Sequence, residues 1–110
     1  MSLYLMLESY CSTCDISQIK YEGSVTYNLS SMWRAIHPGD DVLIKIDGMT
    51  GRDALPKIQH AIEQMVSERD CMLELQPING WGSYDGFLGL LRNLRAACED
   101  NLECVWRADR

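Results

Sequence analysis

Two long stretches of this chain repeat apolar residues at three- and four-residue spacing, so each must lie as a helix with one face against a second layer. In the first, Leu55, Ile58, Ile62, Met65 and Val66 share a stripe while Lys57, Gln59, Glu63 and Gln64 cover the rest. Thr50 is the expected N-cap, Pro56 falls near the first turn, and the helix is expected to reach about Glu68. In the second, Phe87, Leu90, Leu91, Leu94 and Cys98 repeat through about Glu99, with Ser83 or Asp85 as the cap.

Shorter signals surround them. Leu3 to Glu8 is apolar and reads as a strand, whereas Ser9 to Glu22 scatters polar residues among Ile16, Ile19 and Tyr21 and reads as a loop. Val25, Tyr27 and Leu29 alternate with polar residues as a strand does. Ser30 or Ser31 then caps a short helix from Met32 to Ile36, which His37-Pro38-Gly39 stops. Strands are also expected at Val42 to Ile46, at Met72 to Gln76 before Pro77, and at Glu103 to Arg107. Together these elements predict an α/β (α+β) two-layer sandwich, with two long amphipathic helices on one face of a small mixed or mainly antiparallel sheet.

With 110 residues, dividing the chain would leave pieces too small to bury a core, so residues 1–110 are expected to form a single domain. Its 16 acidic and 10 basic side chains give a formal charge of -6, which opposes phosphate backbones and anionic lipid, so neither nucleic acid nor membrane is an expected partner. The opening MSLYLMLESY has neither the basic region nor the apolar run of a signal peptide, and five cysteines make an odd count. Both features fit a cytoplasmic protein with reduced thiols.

Candidate chemistry is sparse. Cys11 and Cys14 follow a predicted strand, where a redox pair would sit at a helix start, but no sustained amphipathic helix follows them and two ordinary thiols are the simpler reading. Cys71, Cys98, Cys104, His37 and His60 show no second paired ligand spacing, so no metal and no cofactor is expected. His37 lies at a predicted helix end and His60 on the long helix, and no nucleophile motif accompanies either. The stretch Asn79-Gly80-Trp81-Gly82-Ser83-Tyr84-Asp85-Gly86 is the most unusual. Its glycines, the flat surfaces of Trp81 and Tyr84 and the amides of the following helix suit either a packed turn or a cradle for an anion or base.

Read with Ser24-Val25-Thr26-Tyr27-Asn28 and Met32-Trp33, that stretch resembles a widespread family of small uncharacterised bacterial and phage proteins, which carry an N-[IV]-T-[HY]-N-like block and an N-G-W-G-S-Y-x-G block. The resemblance covers roughly two thirds of the chain and departs from it at Cys11 to Cys14 and at Val42 to Ile46. It implies no catalytic or cofactor residues; it implies an accessory role, such as inhibition of a host defence system.

The expected function is a non-enzymatic binding protein acting through protein contacts at Tyr27, Asn28, Trp33, Asn79, Trp81, Ser83, Tyr84 and Asp85. The alternative is a small-ligand or nucleotide site where Tyr27 and Asn28 meet the Trp81 loop, with hydrolysis through Asp85. Either version expects those two blocks at one end of the domain, with Trp81 packed against the first helix. A homodimer is expected through the edge of the Glu103 to Arg107 strand.

Overall fold

The computed structural model describes residues 2–11, 16–26, 42–77 and 82–109. Strands β1 (Ser2–Cys11), β2 (Ile16–Thr26) and β3 (Val105–Asp109) form one antiparallel sheet in the order β2-β1-β3. Four helices are described: α1 (Val42–Lys45), α2 (Gly51–Ser67), α3 (Arg69–Glu74) and α4 (Tyr84–Asp100). The two long ones pack against the sheet in a two-layer α+β sandwich, as their stripes require.

Leu3, Leu5 and Leu7 of β1 point one way, joined by Val25 of β2 and Trp106 of β3, and all five are buried. Against them lie Ala54, Ile58, Ala61, Ile62 and Met65 of α2 and Phe87, Leu88, Leu91, Leu94 and Cys98 of α4. The buried stripe of α2 is rotated from the expected one. Ala54 and Ala61 face inward, Leu55 is half-buried, and Val66 faces solvent.

The two long helices run antiparallel, since the start of α2 meets the end of α4 and the end of α2 meets the start of α4. At one end a Cβ on Gly51 would stand 2.6 Å from the Asn101 carbonyl oxygen, so only glycine permits this approach. Midway, Arg95 donates to the Gln59 carboxamide oxygen at 3.2 Å.

Three expected elements are corrected. Of the expected loop from Ser9 to Glu22, Ser9 to Cys11 extend β1 and Ile16 to Glu22 belong to β2. The latter lie on an edge where only part of one face meets the core, and an extra residue in β2, Lys20, breaks the alternation opposite Leu7 and Glu8. Val42 to Ile46 holds a helical turn instead of a strand, because Leu43 and Ile46, three apart, are both buried as one helical face allows. Met72 to Glu74 belong to a helix rather than a strand, and Leu75 and Gln76 turn away from its end. Its Met, Leu and Glu are good helix formers, and Met72 alone of the run is buried.

Thr50 caps α2 by accepting from the Asp53 amide, and Pro56 falls in the second turn, where it removes the usual donor to the Arg52 carbonyl on a solvent-facing side. The terminal strand is found two residues later than expected.

Its outer edge is not open. Trp106 donates to the Met49 carbonyl and accepts from the Gly48 amide, both at 2.8 Å, the Gly51 amide donates to the Cys104 carbonyl, and the Ala108 amide donates to the Asp47 carboxylate at 3.1 Å. The strand edge invoked for a homodimer is therefore already occupied by residues 47–51.

Candidate functional site

Of the eight residues expected to form a site, Tyr27, Asn28, Trp33, Asn79 and Trp81 lie outside the described residues, as do the helix from Met32 to Ile36, His37 and Cys14. So does the expected meeting of Tyr27 with the Trp81 loop. The remaining three form the start of α4. Gly82 has φ +113°, a conformation that favours glycine, and it turns the chain into the helix. Ser83 is the N-cap, its hydroxyl accepting from the Gly86 amide at 3.0 Å.

Tyr84 does not offer an exposed flat surface. Its ring is buried, its hydroxyl donates to the Met65 carbonyl at 2.7 Å, and the Arg69 guanidinium lies 5.6 Å from its ring centre. The Tyr84 amide donates to the Gln76 side-chain oxygen at 2.8 Å. With the Tyr84 and Gly86 amides so engaged and the Asp85 carboxylate exposed in the first turn, this helix start holds its own partners and carries a charge that repels anions. Ser83 and Tyr84 thus organise the turn, and the Asn79 to Trp81 part of the expected cradle lies outside the described residues.

The thiols divide by environment. Cys11 ends β1 and β2 begins at Ile16, so no helix follows the Cys11 to Cys14 pair. Cys98 and Cys104 are buried and Cys71 is exposed, all three as free thiols. Burial pushes the Cys98 thiol up from its ordinary range, and the Trp106 indole N–H, donating to its sulfur at 3.2 Å, offsets part of that. A protonated, enclosed thiol is a packing group and not a nucleophile. His60 is exposed on α2, and among the described residues no three His, Cys, Asp or Glu side chains are placed to hold a metal ion.

The surface with the clearest chemistry is the outer face of the sheet. The register sets nine residues there in three rows across β2, β1 and β3: Ser24, Tyr4 and Asp109; Glu22, Met6 and Arg107; Ile19, Glu8 and Val105. The bulge at Lys20 is what turns Ile19 to this side. Tyr4 is 55% and Ile19 54% exposed, although both are large and apolar. Tyr4, Met6, Glu22, Ser24 and Asp109 line a shallow concavity of about 450 Å³. Sequence reasoning missed this face, yet the signal was present: Tyr4 and Met6 alternate with Leu3, Leu5 and Leu7, so both sides of β1 are apolar.

The fold and this face define a small α+β sandwich whose long helices cover one side of its sheet and whose partly apolar other side is covered by no helix among the described residues. No family model matches the chain, and neither the curated proteins nor the solved structures contain a match to it. Among the described residues no helix is long and apolar enough to cross a membrane.

Proposed function

We propose that this protein is a non-enzymatic binding protein that acts through protein–protein contacts, with the outer face of the sheet as its recognition surface. The observation that carries the reading is that Tyr4, Met6 and Ile19 share one face of the sheet, with Tyr4 and Met6 side by side in its concavity, and that no described element covers it. Scattered apolar residues are ordinary on a protein surface, but an aromatic, a thioether and a branched aliphatic on one rigid sheet face supply the kind of anchors that interfaces use. At the start of α4, Ser83 and Tyr84 are engaged in structural hydrogen bonds. The likeness of the Thr26 and Trp81 blocks to small bacterial and phage proteins supports an accessory role in the cytoplasm, such as inhibition of a host defence system.

Affinity capture from the native cytoplasm tests this with two baits, the wild-type chain and a Tyr4→Ser/Ile19→Ser variant. Both positions are more than half exposed, so the variant should keep its circular dichroism and unfolding midpoint. The expected result is a partner retained by the wild type and lost by the variant. A folded variant that captures the same partner equally well removes the outer face from the proposal.

A further inference from the structure

We infer that the occupant of the outer sheet face is a basic polypeptide segment, which sets apolar side chains on Tyr4, Met6 and Ile19 and cationic side chains against Glu22 and Asp109. This rests on the reading of that face as a docking surface and adds the chemistry of the partner. The face carries three carboxylates, Glu8, Glu22 and Asp109, and one guanidinium, Arg107. Arg107 is drawn to Glu8, Nε to Oε2 at 3.6 Å. Lys20, the nearest lysine on β2, donates to Gln18. Glu22 and Asp109 consequently have no basic partner among the described residues, and both are exposed.

Their placement gives the recognition its geometry. Glu22 pairs with Met6 from one side of β1 and Asp109 pairs with Tyr4 from the other, so the two carboxylates stand two strands apart, roughly 10 Å across the sheet. Between them lie the Tyr4 ring and the Met6 thioether in the 450 Å³ concavity. A lysine or arginine entering there meets a carboxylate and the face of an aromatic ring together. An acidic segment or a phosphate backbone meets three carboxylates against one guanidinium already paired with Glu8, in a chain whose net charge is -6. A second copy of this chain is disfavoured for the same reason, because two such faces bring carboxylates against carboxylates.

The test is a chemical-shift titration of the nitrogen-labelled full chain with an alternating Lys/Leu octapeptide and with its Glu/Leu counterpart. The Lys/Leu peptide should move the amides of Tyr4, Met6, Glu22 and Asp109 and lose affinity as salt is raised, while the Glu/Leu peptide leaves them in place. Glu22→Gln/Asp109→Asn should weaken the Lys/Leu peptide at least fivefold with the remaining spectrum unchanged. Equal response to both peptides, no response of this face to the Lys/Leu peptide, or undiminished binding by the neutral variant overturns the inference. Concentration-dependent shifts of the same amides without peptide also overturn it, by making the occupant a second copy. If Tyr4→Ser/Ile19→Ser loses the captured partner while Glu22→Gln/Asp109→Asn keeps it fully, the docking face stands and the basic occupant falls.

Discussion

The Tyr84 hydroxyl reaches the Met65 carbonyl across 2.7 Å, tying the first turn of α4 to the last turns of α2. Met65 is among the final four residues of its helix, whose carbonyls have no partner within the helix, so the tyrosine satisfies a backbone group that burial would otherwise strand.

Tyr84→Phe should therefore cost about 1–2 kcal/mol in urea unfolding with the ring packing kept, and Tyr84→Ala about 3–5 kcal/mol. Tyr84→Phe should bind the Lys/Leu peptide as the wild type does. A Tyr84→Phe chain of unchanged stability would show that this contact contributes nothing.

Gly51→Ala places a methyl group 2.6 Å from the backbone oxygen of Asn101 and 3.4 Å from the Cys98 Cα. Backbone cannot swing aside as a side-chain tip can, so the start of α2 must lift from the end of α4. A loss of roughly 1–3 kcal/mol is expected. Arg52→Ala, one residue on, removes only an ion pair with Glu103 between two exposed side chains and should change the midpoint little.

Cys98 makes stability depend on alkaline pH. Its thiol is raised in the folded chain, so the folded state holds its proton where the unfolded state has lost it. The contribution is complete below the ordinary thiol value of about 8.5 and is lost as pH rises through the higher folded value. Half-burial raises the Tyr21 phenol too, which adds a loss of the same sign above about pH 10. Urea midpoints should thus fall above pH 8.5, and fall less steeply in Cys98→Ala. In peptide-mapped alkylation at pH 8, Cys71 should react in the native chain and Cys98 only after denaturation.

Asp47→Ala removes the acceptor of the Ala108 amide on the outer side of β3. Hydrogen exchange at Ala108 should accelerate, with about 1 kcal/mol of stability lost. The Trp106 amide, held by the Met49 carbonyl, should keep its protection.

The elements legible in the sequence were those whose burial writes a strong period. Both long helices, the cap at Thr50 and the apolar start of the first strand could be read directly, and the second cap was narrowed to Ser83 or Asp85, because one face of each helix and of Leu3 to Leu7 is buried. What escaped was written by context. Val42 to Ile46 is rich in β-branched residues, but Leu43 and Ile46 fit the core as a single helical turn, and packing outweighs propensity in so short a run. The first half of β2 gains its order from pairing with β1 and sends few side chains inward, so its composition resembled a loop. Tyr84 looked like a binding residue because an aromatic beside glycines suits either role. Only the position of Met65, nineteen residues earlier, decides that its hydroxyl belongs to the core.

The segment 47–51 that seals the far side of β3 also fixes how far such a sheet can grow. Endless stacking of strands into a filament requires every copy to offer two free borders, one to receive and one to donate. Among the described residues the sheet retains only the β2 border, and there a lysine and a bulge interrupt any incoming strand. Among the described residues, one border is therefore too few for open-ended stacking, which needs two.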